Sequence, residues 1–198
     1  KTKLMENTII DVQKQQARKQ AKQWRTHLHE KHHKTAANKL AEMAAIIIDA
    51  FPVSIIAGFY PIYTEINISP LLKELALMGC QLCLPVTPSV PQKMIFRAYT
   101  PEQHLESGPF NTQHPPVTAK ECVPELILMP LLAFDSNCNR LGYGGGYYDR
   151  TINALFNSGQ TVKLIGVAYS GQEVDKVPIS STDQAMDGVL TPAGLYVR

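Results

Sequence analysis

The sequence predicts an α/β protein of three layers, in which a mainly parallel sheet lies between helices. Short apolar segments alternate with helical segments along most of the 198 residues, as in strand–helix–strand units. These apolar segments do not alternate polar with apolar residues, which is typical of parallel strands covered on both faces. No internal repeat or linker interrupts the pattern. We therefore expect a single domain over residues 1–198.

The first quarter of the chain has a helical composition. No glycine or proline occurs from Ile9 to Asp49, where Ala, Lys, Gln and Glu dominate. Apolar residues recur at helical spacing between Ala36 and Ile47, which predicts that this half packs on the sheet. We expect two helices with a break between His29 and Lys34, and a loose segment over residues 1–7.

Strands and two shorter helices follow Pro52. One helix is predicted over residues 68–79, because Ser69 can cap it, Pro70 suits its first turn and Gly79 can end it. The other is predicted from Gly146 to Asn157. The apolar segments predicted as strands are residues 54–61, 81–87, 94–100, 125–134, 163–170 and 188–192.

Positive charge is concentrated at the start of the chain. Residues 1–40 hold ten of the nineteen Lys and Arg residues but only three acids, although the net charge is only +2. Such a segment predicts an anionic partner, which leaves nucleic acid, a membrane surface and a phosphorylated small molecule open. No apolar run approaches the ~20 residues that span a bilayer. The four cysteines lack the pattern of a disulfide framework, which favours a cytoplasmic location.

A glycine-rich stretch, RLGYGGGYYDR (140–150), separates a predicted strand from a predicted helix. Glycines let the backbone approach a ligand, and a helix N-terminus attracts anions, so the stretch predicts a phosphate site. Arg140 adds donors for phosphate oxygens, and Asp149 fits a Mg²⁺ ion held between carboxylate and phosphates. The tyrosines offer apolar surface to an aromatic ligand. The spacing is neither that of a P-loop nor G-x-G-x-x-G, and a tight corner with packing tyrosines is the alternative.

The longer stretch FDSNCNRLGYGGGYYDR (134–150) resembles the signature of the 5-formyltetrahydrofolate cyclo-ligase, or methenyltetrahydrofolate synthetase, family. That family carries an RLGxGxGYYDR-type loop after a strand that ends Pro-x-x-x-Phe-Asp. Pro130, Phe134 and Asp135 stand at the matching positions here. The signature is highly specific.

Three further segments agree with the resemblance in order and spacing, so that it covers nearly the whole chain. Lys14 and Arg18 match the family's N-terminal Lys-x-x-x-Arg. GFYPIYTEI (58–66) resembles its folate segment, with Tyr60 and Glu65 in the matching places. VPISSTDQAMDGVLTP (177–192) resembles its C-terminal Pro…Asp…Asp…Thr stretch and places Asp183 at the second magnesium aspartate.

The resemblance implies a Rossmann-like (NagB/RpiA/CoA transferase-like) three-layer fold with the N-terminal helices packed on the sheet. It also implies an enzyme that converts 5-formyltetrahydrofolate and ATP to 5,10-methenyltetrahydrofolate, ADP and phosphate, with Mg²⁺ as cofactor. In the implied mechanism the γ-phosphate activates the formyl oxygen, a second folate nitrogen attacks, and phosphate leaves as the ring closes. Such chemistry asks the protein for positioning and charge stabilisation rather than for a nucleophile.

The resemblance also implies residue roles. It assigns ATP binding to Lys14, Arg18, Arg140, Leu141, Gly142, Tyr143, Gly144, Gly145, Gly146, Tyr147 and Tyr148. It assigns folate binding to Tyr60, Glu65, Tyr143, Gly145 and Tyr147, and magnesium to Asp149 and Asp183. Arg140 and Tyr148 are the residues expected to take part in catalysis. The small molecules are the expected partners of a monomer, with no nucleic acid and no membrane among them.

Some alternatives stay open at the level of sequence. Certain family members carry a lysine where this chain has Gly145, so one phosphate contact is absent or supplied by another cation. Arg25 or Lys22 could take the phosphate role assigned to Arg18. A different nucleotide or phosphosugar enzyme could use the same loop. A nucleic-acid-binding module built on the basic segment is the third class, although no nucleic-acid recognition motif accompanies that segment.

Overall fold

One long helix, α1 (Thr2–Ala41), opens the computed structural model, which describes residues 2–180 and 183–198 and side chains from Ile9 onward. The break predicted between His29 and Lys34 is wrong, because nothing in that mostly exposed stretch interrupts helical hydrogen bonding. The helix ends instead at Ala41, where the Met43 N–H turns back to Leu40 O at 3.0 Å. The looseness expected of residues 1–7 stays a prediction; Lys1 lies outside the described residues.

Three shorter helices follow: α2 (Ala44–Ala50), α3 (Ser69–Leu77) and α4 (Tyr147–Asn157). The prediction that Ser69 caps α3 is wrong, since Ser69 is its first helical residue. Ile68 is the N-cap residue and makes no side-chain cap hydrogen bond, while the Ser69 N–H donates to Asn67 Oδ1 at 2.9 Å. Gly79 follows the end of α3 with φ +92°, a backbone conformation that favours glycine.

The described strands, numbered in chain order, fall into one large sheet and two small ribbons. They are β1 (Ile55–Ala57), β2 (Gln81–Val86), β3 (Ile95–Tyr99), β4 (Glu106–Ser107), β5 (Gln113–His114), β6 (Glu121–Cys122), β7 (Leu126–Pro130), β8 (Ala133–Phe134), β9 (Arg140–Leu141), β10 (Lys163–Val167), β11 (Gly188–Thr191) and β12 (Gly194–Val197). The large sheet has the order β12-β11-β10-β7-β1-β2-β3-β6, while β4 pairs with β5 and β8 with β9.

The centre of the large sheet is parallel, which confirms the predicted fold class. Strands β2, β1, β7, β10 and β11 run in one direction. Antiparallel strands complete both edges: β12 pairs with β11, and β3 and β6 extend the sheet beyond β2. Strands β6 and β12 were not predicted, because each is short and partly exposed and lacks an apolar run.

Alternate residues of the central strands feed two cores, one on each face of the sheet. On one face, Leu128 packs in a cluster with Leu40 of α1, Ile47 of α2 and Leu71 of α3. On the opposite face, Ile127 packs in a cluster with Ile152 of α4. Helices therefore cover both faces of the sheet, which gives the three predicted layers.

The carboxyl ends of β1 and β7 bring two loops to the same edge of the sheet. Residues 58–66 follow β1, and the chain from Leu131 onward leads from β7 to the glycine-rich stretch. Helix α1 crosses this edge, where Arg18 Nε donates to Gly142 O at 3.0 Å and Arg25 Nε to Thr64 Oγ1 at 3.1 Å. Ligands of open α/β sheets bind at such an edge. None of the described helices is both long and apolar enough to cross a bilayer.

Candidate active site

A cleft of about 1150 Å³ lies between α1, the loop after β1 and the glycine-rich stretch. Every residue assigned to the site from the sequence lines it: Lys14, Arg18, Tyr60, Glu65, Arg140, Leu141, Gly142, Tyr143, Gly144, Gly145, Gly146, Tyr147, Tyr148, Asp149 and Asp183. The structure thus brings together four segments that are far apart in sequence. The side chain of Leu141 packs in a core with Ala133 and Val177.

The glycine loop (residues 142–146) is held open by two arginines. Gly144 and Gly146 have φ values of +100° and +65°, which residues with a side chain rarely adopt. Arg18 donates to Gly142 O and lies where a Gly144 side chain would be, with Cζ 3.1 Å from that position. Arg150 Nη2 donates to Gly145 O. Since arginines hold these carbonyls and the first N–H groups of α4 have no helical partner, the loop suits an anion.

Two ion pairs border the glycine loop. Arg140 Nη2 donates to Asp149 Oδ1 at 2.7 Å, and its guanidinium lies 5.6 Å from the centre of the Tyr148 ring. Lys14, which is buried, donates to Asp183 Oδ2 and to Ser180 Oγ at 3.1 Å. Partial burial alone would raise the pKa of Asp183, but hydrogen bonds from Lys14 and Ser180 outweigh it and lower that pKa. The Asp183 carboxylate is therefore ionised at neutral pH.

A buried carboxylate, that of Asp135, fixes the β8–β9 ribbon that leads into the glycine loop. Asp135, which is 1% exposed, accepts hydrogen bonds from the N–H groups of Asn137, Asn139 and Val177, each at 3.0 Å. Asn139 Nδ2 adds a fourth at 3.1 Å. Burial alone would raise the pKa of Asp135, but these hydrogen bonds together outweigh that effect, so the pKa lies below its ordinary value. The Phe-Asp part of the sequence signature thus has a structural role, as the anchor of the β8–β9 ribbon.

The other end of the cleft holds a second buried carboxylate, Glu65. It is 5% exposed, and its Oε2 accepts the Ile62 N–H at 2.9 Å. Arg25 Nη1 lies 4.0 Å from Glu65 Oε1. Burial raises the pKa of Glu65 to about 7, although the Ile62 N–H, Arg25 and the Tyr143 hydroxyl each act to lower it. This carboxyl can therefore accept ligand N–H groups in its ionised form near neutral pH.

Aromatic side chains surround the space between the two ends. The rings of Phe110 and Tyr147 lie 5.9 Å apart between centres. Asn111 Nδ2 donates to the Tyr63 hydroxyl at 3.2 Å, so the β4–β5 hairpin contacts the loop after β1. Tyr60 and Tyr143 line the same space. A flat heterocycle fits such a surface.

Sequence reasoning missed two functional candidates, both arginines. Arg150 closes the signature YYDR, but no role was assigned to it; its guanidinium lies 5.4 Å from the Tyr147 ring centre, and its buried Nε has no partner among the described residues. Arg25 was considered only as a rival of Arg18 for phosphate. It lies instead against Glu65 and Tyr143, while Arg18 reaches the glycine loop.

Protein ligands alone do not form a metal centre in the described part of the chain. No group of three or more His, Cys, Asp or Glu residues converges there, and the four cysteines are free thiols. A Mg²⁺ ion needs no such cage, because one or two carboxylates with substrate phosphates suffice. The ion pairs occupy Asp149 Oδ1 and Asp183 Oδ2, and each carboxylate has a second oxygen outside them. The donor set therefore fits magnesium bound together with a phosphate.

An α/β fold with an anion loop at one end of its cleft and a buried carboxylate at the other is typical of enzymes that bind a phosphorylated ligand beside a heterocyclic one. The family model described as "5-formyltetrahydrofolate cyclo-ligase family" matches residues 10–192. The chain belongs to that family.

Curated relatives support the assignment over most of their length. The 5-formyltetrahydrofolate cyclo-ligase of Haemophilus influenzae is 27% identical over 182 residues, which cover 89% of this chain and 96% of the relative. The cyclo-ligase of Escherichia coli K12 is 27% identical and covers 80% of this chain and 91% of its own. That of Mycolicibacterium smegmatis is 32% identical over 69% of this chain and 73% of its own.

Solved structures agree. The 5,10-methenyltetrahydrofolate synthetase of Aquifex aeolicus superposes with a TM-score of 0.72 at 26% identity, covering 93% of this chain and 92% of that one. A 5,10-methenyltetrahydrofolate synthetase of Mycoplasma pneumoniae gives 0.69 at 23% identity, over 90% and 98%, and supports the fold alone. The predicted family and enzyme class are thus confirmed: the chain is a ligase of folate one-carbon metabolism, and ATP-dependent conversion of 5-formyltetrahydrofolate is the reaction of that family.

Proposed function

We propose that this chain converts 5-formyltetrahydrofolate to 5,10-methenyltetrahydrofolate at the cleft described above, with ATP and Mg²⁺. The formyl oxygen takes the γ-phosphoryl group, ADP leaves, a second folate nitrogen attacks the formyl carbon, and phosphate carries the oxygen away. One observation carries the proposal: a single continuous cleft has an anion loop at one end and a buried carboxylate at the other. Both substrates can then meet without a protein nucleophile.

The cationic end suits the triphosphate. Arg140 has five donors in a fixed fork, of which one is engaged by Asp149 and the buried Nε has no described partner. Lys14 and Arg18 lie on one face of α1, as residues four apart do, and both line the cleft. With the N–H groups of the glycine loop, these cations would neutralise charge that develops on the transferred group. Arg150, which donates to Gly145 O, is placed to supply the positive charge that certain family members carry as a lysine at position 145.

Magnesium is assigned to Asp149 and Asp183. Both carboxylates line the cleft, and each already faces a cation that also serves the phosphates: Arg140 for Asp149 and Lys14 for Asp183. When bound, the ion would neutralise phosphate charge and orient the γ-phosphoryl group. The two ion pairs hold both carboxylates in place before any ligand arrives.

The aromatic end suits the folate. In its ionised form Glu65 would accept hydrogen bonds from the amino and ring N–H groups of the pterin, while Tyr60, Tyr143 and Tyr147 would pack on the heterocycle. Tyr148, half-buried in the first turn of α4, lies beside Arg140 and would contact the reacting groups. Burial raises the pKa of the Tyr148 hydroxyl, which therefore stays protonated and can donate a hydrogen bond.

The experiment is an absorbance assay in the ultraviolet band of methenyltetrahydrofolate. Purified protein and 5-formyltetrahydrofolate are mixed with Mg-ATP, with ATP alone, with magnesium alone and with neither. We expect a rise only when both are present, and a slower rise at low ATP concentration in Arg140→Ala. Lys73→Met, which removes a cation exposed to solvent outside the cleft, is the control and should keep full turnover. ATP binding without any rise would mean that the second substrate is a different compound.

Several expectations remain predictions: a single domain over residues 1–198, a monomer, a cytoplasmic location and no nucleic-acid partner. Light scattering tests the monomer, and binding to random DNA over a range of salt concentrations tests the last.

A further inference from the structure

Arg25 is a buried arginine that the proposed chemistry leaves unused. Its side chain is 2% exposed, and each nitrogen of the guanidinium contacts a different segment. Nε donates to Thr64 Oγ1 at 3.1 Å, Nη1 to Leu131 O at 3.2 Å, and Nη2 to the Tyr143 hydroxyl. The ring centre of Tyr143 lies 5.1 Å from Cζ. The loop after β1, the end of β7 and the glycine loop are therefore joined through one side chain.

Only an arginine can make this arrangement. The planar fork has donors in fixed directions, whereas the ammonium of lysine is a single point on a flexible stem. A guanidinium in a buried position is tolerated because its charge is compensated, and Glu65 Oε1 at 4.0 Å is the carboxylate that compensates it. That distance is too long for a hydrogen bond. The Tyr143 hydroxyl, which interacts with both groups, completes the link.

The surroundings of Glu65 contain little else that is charged. Arg25 faces it from α1, Tyr143 from the glycine loop and Tyr148 from α4, and the Ile62 N–H faces it from its own loop. Among these groups Arg25 is the cation. Burial raises the pKa of Glu65, and Arg25 opposes that effect. Without Arg25, the carboxylate would keep one backbone N–H and a phenol hydroxyl.

We propose that Arg25 is a positioning residue for the folate end of the cleft, which holds the Glu65 carboxylate ionised and correctly oriented and ties it to the glycine loop through Tyr143. The inference rests on the proposed function, because it takes Glu65 as the group that faces the pterin. Arg25 itself contacts no substrate in this scheme. It acts through Glu65, and its removal should affect the two substrates unequally.

Steady-state kinetics of Arg25→Met and Arg25→Lys test whether the two substrates are affected unequally. Arg25→Met should raise KM for 5-formyltetrahydrofolate tenfold or more, while KM for ATP changes less than threefold. The acid limb of kcat/KM for the folate should move to higher pH, because the cation that lowers the pKa of Glu65 is gone. Arg25→Lys keeps the charge but loses the fork, so the limb should stay near its original position while KM for the folate remains raised.

A double-mutant cycle shows whether Arg25 acts through Glu65. In a Glu65→Gln background, Arg25→Met should add less than a threefold effect and no shift of the pH profile. This double variant removes both buried charges together, so it folds more readily than either single variant. Arg97→Gln is the control: Arg97 is half-buried and, like Arg25, donates to a backbone carbonyl, Pro115 O at 3.3 Å, but it lies outside the cleft. It should leave both KM values unchanged.

A direct titration is independent of turnover. ¹³C NMR of carboxyl-labelled protein without ligands, assigned by Glu65→Gln, should place the Glu65 midpoint near pH 7 and move it upward in Arg25→Met. An unmoved midpoint, or equal changes in both KM values, would overturn the inference. Failure of the proposed function would give a different result, namely no absorbance change with the unsubstituted chain. In that case the titration still decides the role of Arg25.

Discussion

Replacing Glu65 with glutamine should remove folate turnover and make the stability of the protein less dependent on pH. In the folded protein, burial raises the pKa of this carboxyl from its ordinary value of 4.5 to about 7. The folded state thus binds a proton more tightly than the unfolded state does. The contribution of Glu65 to the free energy of unfolding is therefore highest below pH 4.5 and falls as pH rises through about 7.

The magnitude follows from the shift. A difference of roughly 2.5 pKa units corresponds to about 3 kcal/mol at pH 8, of which about 1 kcal/mol is already lost at pH 5. Glutamine has nearly the same shape and no charge, so the variant avoids this loss. We expect the free energy of unfolding of Glu65→Gln, relative to the parent, to be higher at pH 8 than at pH 5 by about 2 kcal/mol, on top of a pH-independent loss because Arg25 is left without its carboxylate.

Urea denaturation at the two pH values measures the difference, with Trp24, the single tryptophan, as reporter. Its indole N–H donates to Gly171 O at 2.7 Å, so its fluorescence reports the docking of α1 on the rest of the chain. Glu102→Gln, which removes an exposed carboxylate, is the control and should leave the pH dependence unchanged. A difference in stability between variant and parent that is the same at both pH values would refute the assignment of this charge penalty to Glu65.

Three further outcomes are expected. Arg140→Ala should raise KM for ATP about tenfold, the loss of one charge-assisted hydrogen bond, and KM for the folate less than threefold; equal increases would remove Arg140 from the phosphate site. Asp149→Asn should lower turnover and weaken the magnesium dependence in a Mg²⁺ titration, and a fully active variant would show that Asp149 serves only Arg140 and the start of α4. Asp135→Asn should destabilise the chain by about 3 kcal/mol, since the carboxylate accepts four N–H bonds, and lower Tm by roughly 6–12 °C in a calorimetric scan. An unchanged Tm would contradict that role.

The parts of the fold that could be predicted are those that a local pattern specifies. The buried strand β7 and helix α4 follow from an apolar run and from a helical segment after glycines, and the structure has both. The end of α1 could not be predicted, because no residue near Met43 breaks a helix; the turn there follows from the need to bury Ile47. Edge strands such as β12 depend on a neighbour for their hydrogen bonds, so their own residues carry little signal.

The same distinction applies to the site. A run of glycines between a predicted strand and a predicted helix, together with a specific signature, located the loop from the sequence alone. Arg25 could not be assigned, because a charged residue on a basic helix has no pattern that separates it from Lys22 or Arg18. Its role depends on Thr64, Leu131 and Tyr143, which come from three different segments and meet it only after folding. Roles that are built from tertiary contacts in this way need the structure.

Helix α1 carries cations that serve both ends of the cleft, so the spacing between these residues is fixed by the geometry of one helix. Lys14 and Arg25 are separated by eleven residues, a rise of roughly 16 Å along one rigid rod. Inserting or deleting a single residue between Arg18 and Arg25 would turn one end against the other by about 100°. Arg18 would then leave the glycine loop or Arg25 would leave Glu65. We therefore expect the site to tolerate substitutions in this stretch more readily than insertions or deletions.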